Sequence, residues 1–573
     1  MKLISFRIQN FKPILDTGTL APSRDRLTVI VGQNESGKSA VLEALLAFYR
    51  EEINQEHLRP DGSSPRITCE FQLEQDDVET IHEELGPKLK SSTWDRLFKQ
   101  PVTVFAVPND GDAGKLKYDL SSEATSVSLA IEETEEEKSE DSWQEATSGG
   151  FATAIVKALP NFVLFTEYAS SLPSEITLVT LKNESKSEGK AGAKNFLTVA
   201  ELTLEKLQKS TPQTRKHDLE IANKRITDAF HKFWNQQLGK AGKVSLELEV
   251  KDVTKDQDGN SVKDLTFSFW IKDGDGPLYP AQRSSGLRWY LSFFLYFSAA
   301  AKLSERNIYM LDEPASNLHM RAQDDALRFL EEVAKSHDVI YTTHSPSMIN
   351  PDKPYRILAA HRDDLEDARG PTAVVPIHRL SESARDTLTP IYQCMGAAVL
   401  KHGIGYERDN VILEELSAFY YIKAAKKLIG DARKLHILAC TGAGNVAVYA
   451  NLFNLWQLDY VAVFDDDHAG RREEKVIRAL FESKSVRADK HVMRTKFADV
   501  ELHFSVIDQE KYLVGLTRSA QGKILGPKGA VAATFYSDVL TEQIVCADLA
   551  SETILNLKKL LDDMHSCLDT PRA

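Results

Sequence analysis

Apolar residues in this chain fall into runs of two kinds. The first kind is short, nearly continuous and ends in glycine or acid. Residues 27–31 (LTVIV), 307–311 (NIYML), 410–413 (NVIL) and 460–464 (YVAVF) are of this kind. Such runs predict buried strands, as do 338–343 (DVIYTT), 435–440 (LHILAC) and, less clearly patterned, 490–495 (KHVMRT). The second kind repeats at helical spacing. Residues 39–49 form an amphipathic helix directly after the first strand, and 195–240 are helical in pattern. The opening ISFRIQNFKPI reads as a strand carrying Leu3, Ser5 and Ile8. Residues 244–273 read as a hairpin, with Asp-Gly and Gly-Asn turn residues between two apolar runs. Strand and helix patterns alternate over 1–115, 276–380 and 405–570, which predicts an α/β fold class. No internal repeat is present.

The longest apolar stretch, 289–301, includes two serines and falls short of the roughly 20 residues that a membrane span needs. The N-terminus has no continuous apolar core and no small-residue cleavage site, so no signal peptide is expected. Cys69, Cys394, Cys440, Cys546 and Cys567 show no paired spacing. That pattern predicts a reducing, cytoplasmic setting without a zinc site or disulfide framework.

The 573 residues exceed what one compact core holds, so several domains are expected. Lys and Arg number 70 against 84 Asp and Glu, giving 70 − 84 = −14. This charge disfavours indiscriminate coating of nucleic acid, while a local basic groove or a metal-dependent site stays open. Part of the acidity is a run at 131–145, IEETEEEKSEDSWQE, within a segment of about 120–150. It reads as a solvated insertion, with an acidic regulatory segment as the alternative.

Residues 32–39, GQNESGKS, follow the strand LTVIV and open a helix. They match the phosphate-binding loop G-x-x-x-x-G-K-[ST] in its required context. Gly32, Asn34 and Gly37 belong to a backbone that wraps phosphates, Lys38 reaches the β- and γ-phosphates, and Ser39 ligates Mg²⁺. Downstream, the strand NIYML ends in Asp312 and Glu313: a carboxylate for the Mg²⁺ side and a candidate general base for the attacking water. The strand DVIYTT ends in His344. The order and spacing of these elements resemble the ABC-type ATPases of the RecF/SMC class. GQNESGKS looks like Walker A, YMLDEPASNLH like Walker B with its D-loop, and YTTHSP like the switch histidine. The resemblance implies that Ser285 and Gly286, about 26 residues before Asp312, form a signature segment capping the γ-phosphate on a partner subunit. That segment departs from the fuller family form, and Gln72 is a poor match to a Q-loop. About 270 residues separate the Walker motifs, as expected where a helical arm interrupts the ATPase.

A second constellation lies in the C-terminal part. The strand YVAVF ends in Asp465-Asp466-Asp467 and turns at Ala469-Gly470. In extended chain, i and i+2 share a face, so Asp465 and Asp467 are expected to converge on one ion, with Mg²⁺ or Mn²⁺ suited to such hard oxygen ligands. An acidic turn is the bland alternative. Glu414 ends the strand NVIL about 50 residues earlier, and Glu501 supplies a later candidate. Glu followed by DxD after another strand resembles the Toprim fold. A RecF-like ATPase fused to a Toprim domain resembles the OLD (overcoming lysogenization defect) family, which includes the nuclease subunit of the Gabija anti-phage system.

This resemblance implies ATP, Mg²⁺ or Mn²⁺ at both sites, and metal-dependent hydrolysis of DNA. It divides the chain into ATPase segments at 1–160 and 276–385, a dimerising arm and hairpin at 161–275, a connector at 386–404 and a Toprim domain at 405–573. It matches Glu414, Asp465 and Asp467 to ligating carboxylates and Glu501 to a later acidic position, with Lys528 as a candidate cation for the transition state. The family usually carries an acid four positions after the first Glu; here that residue is Ala418, with Glu415 adjacent to Glu414. One-metal and two-metal chemistry therefore both stay open. So do three functions: an ATP-controlled endonuclease acting as a homo-oligomer, an ATPase sensor docking a helicase-like or other defence partner, and a repair clamp. No membrane partner is expected.

Overall fold

The computed structural model describes the chain except residues 86–97, 110–111, 113, 121–127, 131–142, 146–147, 167–169, 184–186, 235–243, 258–259, 274–275, 303–306, 351, 366–367, 377–408, 441, 456–457, 483–490, 520–523, 527 and 570–573. Most of the acidic run, the whole of the expected connector and Cys394 lie outside the described residues. The chain divides into two compact units. Unit one comprises residues 1–348 with 360–374; unit two comprises 349–359 with 375–573.

Unit one is built on an eleven-stranded sheet. Its strands are β1 (Lys2–Phe11), β2 (Ile14–Asp16), β3 (Leu27–Gly32), β4 (Arg66–Gln72), β5 (Val102–Pro108), β6 (Leu116–Leu120), β7 (Asn161–Phe165), β10 (Asn307–Leu311), β11 (Asp338–Thr343), β12 (Ile357–Leu365) and β13 (Ala368–Pro376). Their order is β6-β5-β4-β1-β2-β13-β12-β3-β11-β10-β7. The strands β3, β11, β10 and β7 are parallel. All six residues of β3 and all five of β10 are buried, which explains their near-continuous apolar sequence. The register pairs Val31 with Thr343 and Leu311 with Tyr341. The residues that follow these three strands therefore emerge at one edge of the sheet.

The helix α1 (Lys38–Arg50) leaves β3 through the glycine-rich loop. Residues 161–165, assigned from sequence to the start of the arm, instead pair in parallel with β10. The remainder of that segment carries α2 (Lys190–Ala200), α3 (Pro212–His231) and a long hairpin of β8 (Ser245–Gln257) and β9 (Asn260–Asp273). Pro212 sits in the first turn of α3, and Thr211 caps it by accepting the Thr214 N–H. The apolar stretch at 289–301 lies mainly in α4 (Ser285–Ala300), whose buried face includes Trp289, Phe293 and Phe297, and α5 (Met320–Val333) lies between β10 and β11 in the chain. Among the described residues no helix is long and apolar enough to cross a membrane.

Unit two holds a four-stranded parallel sheet of β14 (Asn410–Leu413), β15 (His436–Ala439), β16 (Tyr460–Phe464) and β17 (Val492–Arg494), in the order β15-β14-β16-β17. Period-two alternation splits its core. Val411, Leu413, Val461 and Val463 pack with α6 (Leu416–Ile429), α9 (Lys528–Leu540) and α10 (Ser551–Asp569). Ile412, Leu438, Ala462 and Phe464 pack on the other face, with α7 (Ala443–Leu455) and α8 (His468–Glu482). The chain runs from β14 outward to β15, then back across to β16 and on to β17. The order thus reverses between β14 and β16, and open α/β sheets bind ligands at the carboxyl ends of strands flanking such a reversal.

Candidate functional site

In unit one the glycine-rich loop gathers the expected groups. Gly37 has φ 92° and Glu35 φ 64°, a left-handed bend that aligns backbone amides toward an anion. A side chain at Gly37 would also fail for space, since a Cβ there would lie 2.5 Å from Thr372 Oγ1. Thr372 fastens the loop by donating to the Ser36 carbonyl at 2.9 Å. Asn34 is exposed at the loop tip. Lys38 is buried; its ammonium donates to the Gly32 and Gln33 carbonyls at 3.1 and 2.9 Å and lies 3.2 Å from Glu313 Oε1.

Ser39 Oγ donates to Asp312 Oδ1 at 2.9 Å, and Thr342 donates to the same oxygen at 2.6 Å. Thr342 in turn accepts the Glu313 N–H at 2.8 Å. His344 Nδ1 lies 2.8 Å from Glu313 Oε2, and the His344 N–H donates to that oxygen at 3.2 Å. Residues that are up to 31 positions apart within the 312–344 segment, and 273 apart between Ser39 and Asp312, thus form one connected network. A serine hydroxyl beside an aspartate oxygen is suited to Mg²⁺, and the loop amides with Lys38 suit a triphosphate. The sequence reading missed Thr342, although its place just before the Thr343-His344 pair was a cue, and Thr372, for which no local signal exists.

Ser285 and Gly286 form the first turn of α4, capped by Ser284. Gly286 lies against the segment after the β10 carboxylates: a Cβ there would be 2.9 Å from Leu318 Cδ2. Gln72 lies in β4 and donates to the Phe98 carbonyl at 2.7 Å.

In unit two Glu414 and Asp465 follow the two strands that flank the order reversal. The Asp465 N–H donates to Glu414 Oε1 at 3.2 Å. Gly470 permits this approach, because a Cβ there would lie 2.3 Å from the Asp465 carbonyl oxygen and 2.8 Å from Glu414 Oε1. Burial pushes the Glu414 carboxyl up to about 7, with Asp467, Glu415 and Glu473 adding to the rise and the Asp465 N–H opposing it. Burial raises Asp465 well above the carboxylate range, reinforced by Glu414, Glu415 and Glu501 and opposed by Lys528.

Glu501 is 0% exposed, and among the described residues neither carboxylate oxygen has a hydrogen-bond partner. Burial lifts it to about 7, against the opposing charge of Lys528 at 3.7 Å. Lys528 also pairs with Asp499, whose other oxygen accepts the Ile524 N–H at 3.1 Å. Burial acts to lower the Lys528 pKa, but the carboxylates of Glu501, Asp499 and Glu415 outweigh it.

One expectation changes here. Asp465 and Asp467 do not share a face of extended chain, because β16 ends at Phe464 and the chain turns into α8. Asp467 accepts the Gly470 N–H at 2.7 Å, which is a helix-capping arrangement. Asp466 faces Arg471 and Arg494, each at 3.2 Å. Ala418 packs against the apolar core of this unit, and Glu415 is exposed at the start of α6, so neither adds an inward carboxylate beside Glu414. Among the described residues, no three His, Cys, Asp or Glu side chains form a metal-holding group as they stand. The donor chemistry nevertheless suits a hard divalent cation: carboxyls raised chiefly by burial, one of them without a hydrogen-bond partner among the described residues, with Lys528 as the positive charge facing them.

Comparison with known proteins gives three kinds of likeness. A family model described as "AAA ATPase domain" matches residues 1–349. An uncharacterised protein of Methanocaldococcus jannaschii is 29% identical over 149 residues, which cover 24% of this chain. The chain spans 37% of the length of that relative. Among solved structures, an SMC head bound to the C-terminal winged-helix domain of ScpA is 13% identical with a TM-score of 0.36; the match covers 67% of this chain and 100% of that one. An SMC head domain from Thermotoga maritima is 13% identical with a TM-score of 0.32, covering 66% of this chain and 99% of that one.

Proposed function

The chain belongs to the AAA ATPase domain family, and we propose that it couples ATP binding and hydrolysis in unit one to metal-dependent cleavage of DNA by unit two. The ATPase is of the RecF/SMC-like ABC kind in this reading, and the whole chain is a cytoplasmic nuclease of the OLD type serving anti-phage defence. Lys38 and the loop amides bind the triphosphate, and Ser39 with Asp312 would hold Mg²⁺. Glu313 orients and deprotonates the attacking water, and His344 positions Glu313. Ser285 and Gly286 serve a second copy of the chain, so the active form is at least a homodimer.

In unit two, Glu414, Asp465 and Asp467 would hold Mg²⁺ or Mn²⁺, with Glu501 beside them and Lys528 offsetting charge on the phosphate. When bound, such a metal would supply Lewis acidity toward the phosphate and its attacking water. The observation that carries this reading is the Glu414–Asp465 hydrogen bond at the strand-order reversal. Plasmid nicking with Mg²⁺ or Mn²⁺ tests it, with and without ATP, in wild type, Lys38→Ala and Asp465→Ala. Nicking by the wild type and its loss in Asp465→Ala are expected. A wild type that leaves plasmid intact under every metal and nucleotide condition refutes it.

Ala418 in the apolar core and the absence of a preformed three-ligand group among the described residues favour one second reading. In it unit two is a docking module for a partner effector, such as a helicase-like protein. A stoichiometric complex without cleavage by the chain alone distinguishes it.

A further inference from the structure

Beside the glycine-rich loop, unit one opens into a cleft of about 750 Å³. The first turn of α1, with Ser39 and Ala40, forms one wall; Arg362 on β12 and Pro371 on β13 belong to another. This second wall is fastened to the loop. Gly32 packs on the Ala360 carbonyl, and Thr372 holds the Ser36 carbonyl.

Four basic side chains line the cleft: Lys38 of the loop, already paired with Glu313, and three others, of which two are matched. Lys12 is paired with Glu43. Arg59 is paired with Asp61 and donates to the Lys12 carbonyl. Arg362 differs: its Nε–H is buried, and among the described residues it has no hydrogen-bond partner. A buried guanidinium donor is costly to leave unmatched, and its planar fork suits a phosphate better than any other common anion except a carboxylate.

Sheet order indicates which phosphate. Lys38, Glu313 and His344, the groups proposed to act on the γ-phosphate, are linked to the β11 and β10 side of β3. Arg362 comes from β12, the neighbour of β3 on the opposite side. We propose that Arg362 is a nucleotide-binding residue that holds the α-phosphate, the end of the triphosphate joined to the nucleoside, from across the cleft. This rests on the ATPase reading and adds a residue that the glycine-rich motif does not contain.

Equilibrium titration of the full chain with ATP and with ADP tests it. Both nucleotides carry the α-phosphate, so Arg362→Ala should weaken both to a similar extent, by about ten- to a hundredfold. Arg362→Lys should recover part of the loss. At saturating ATP, kcat should stay near the wild-type value while KM rises, because the residue is remote from the bond that breaks. Arg362→Gln, similar in length but uncharged, provides the same comparison should the alanine variant fail to fold. Wild-type affinity for both nucleotides in folded Arg362→Ala or Arg362→Gln overturns the inference, as does a fall in kcat with KM unchanged. A Lys38→Ala control that loses binding in the same experiment shows that the ATPase reading survives that failure. A wild type that binds neither nucleotide overturns both.

Discussion

Asp465 donates its backbone N–H to a side-chain oxygen of Glu414, 51 residues earlier in the chain, at 3.2 Å. The two residues meet because β14 and β16 are neighbours in a parallel sheet whose order reverses between them. Burial raises the energy of ionising Asp465, and the charges of Glu414 and Glu501 add to it. Such a group is unfavourable for folding on its own and favourable for a cation.

Glu414→Gln and Asp465→Asn each remove one of the mutually repelling carboxylates. Both variants should melt at or above the wild-type temperature in chelator. In wild type, Mg²⁺ or Mn²⁺ at about a hundred times its dissociation constant should stabilise unit two by about 2.7 kcal/mol. Either substitution should abolish most of that shift. Differential scanning calorimetry across a metal titration reads both effects, and an undiminished shift in the double variant would rule out these carboxylates as ligands.

Gly470→Ala places a Cβ 2.3 Å from the Asp465 carbonyl oxygen. Helix propensity favours alanine by about 1 kcal/mol, but the contact is with backbone, which yields poorly. A net loss of about 1–3 kcal/mol in unit two is expected from denaturant titration, together with weaker metal binding. A stabilised Gly470→Ala would show that α8 shifts without strain.

Glu313 lies between Lys38 and His344, at 3.2 and 2.8 Å. Glu313→Gln keeps the side chain's length and removes its basicity. ATP should still bind within a few-fold of wild type, while turnover falls by about a hundredfold or more. Phosphate release and nucleotide binding measured on one preparation test this; turnover near the wild-type rate excludes Glu313 as the base.

His337 stands edge-on to Tyr309 in unit one, and burial, helped by Arg26, holds its imidazole below the ordinary histidine pKa. It is neutral in the fold and takes a proton more readily when unfolded. Its contribution to stability is therefore complete above about pH 6.5 and is lost as pH falls through the lower folded value. The melting temperature of unit one should drop between pH 7.5 and 5.5, and His337→Phe should flatten that drop. Identical pH slopes in the two proteins would contradict this assignment.

The sequence by itself determined the elements and much of the chemistry. LTVIV followed by GQNESGKS specifies a strand, an anion-binding loop and a helix through contacts within about a dozen residues. The apolar runs ending in Asp312, Glu414 and Asp465 specify carboxylates at strand ends by the same local rule. Tertiary structure decided what each of these meets, because partners far apart in sequence leave no periodic signal. Residues 161–165 joined β10 at the edge of the large sheet because their backbone pairs in parallel register there. Asp467 turned from its expected face because the helix that begins beside it offered the Gly470 N–H. Thr372 and Arg362 reached the loop from more than 300 residues away, carried by strands whose place beside β3 is a property of the whole sheet.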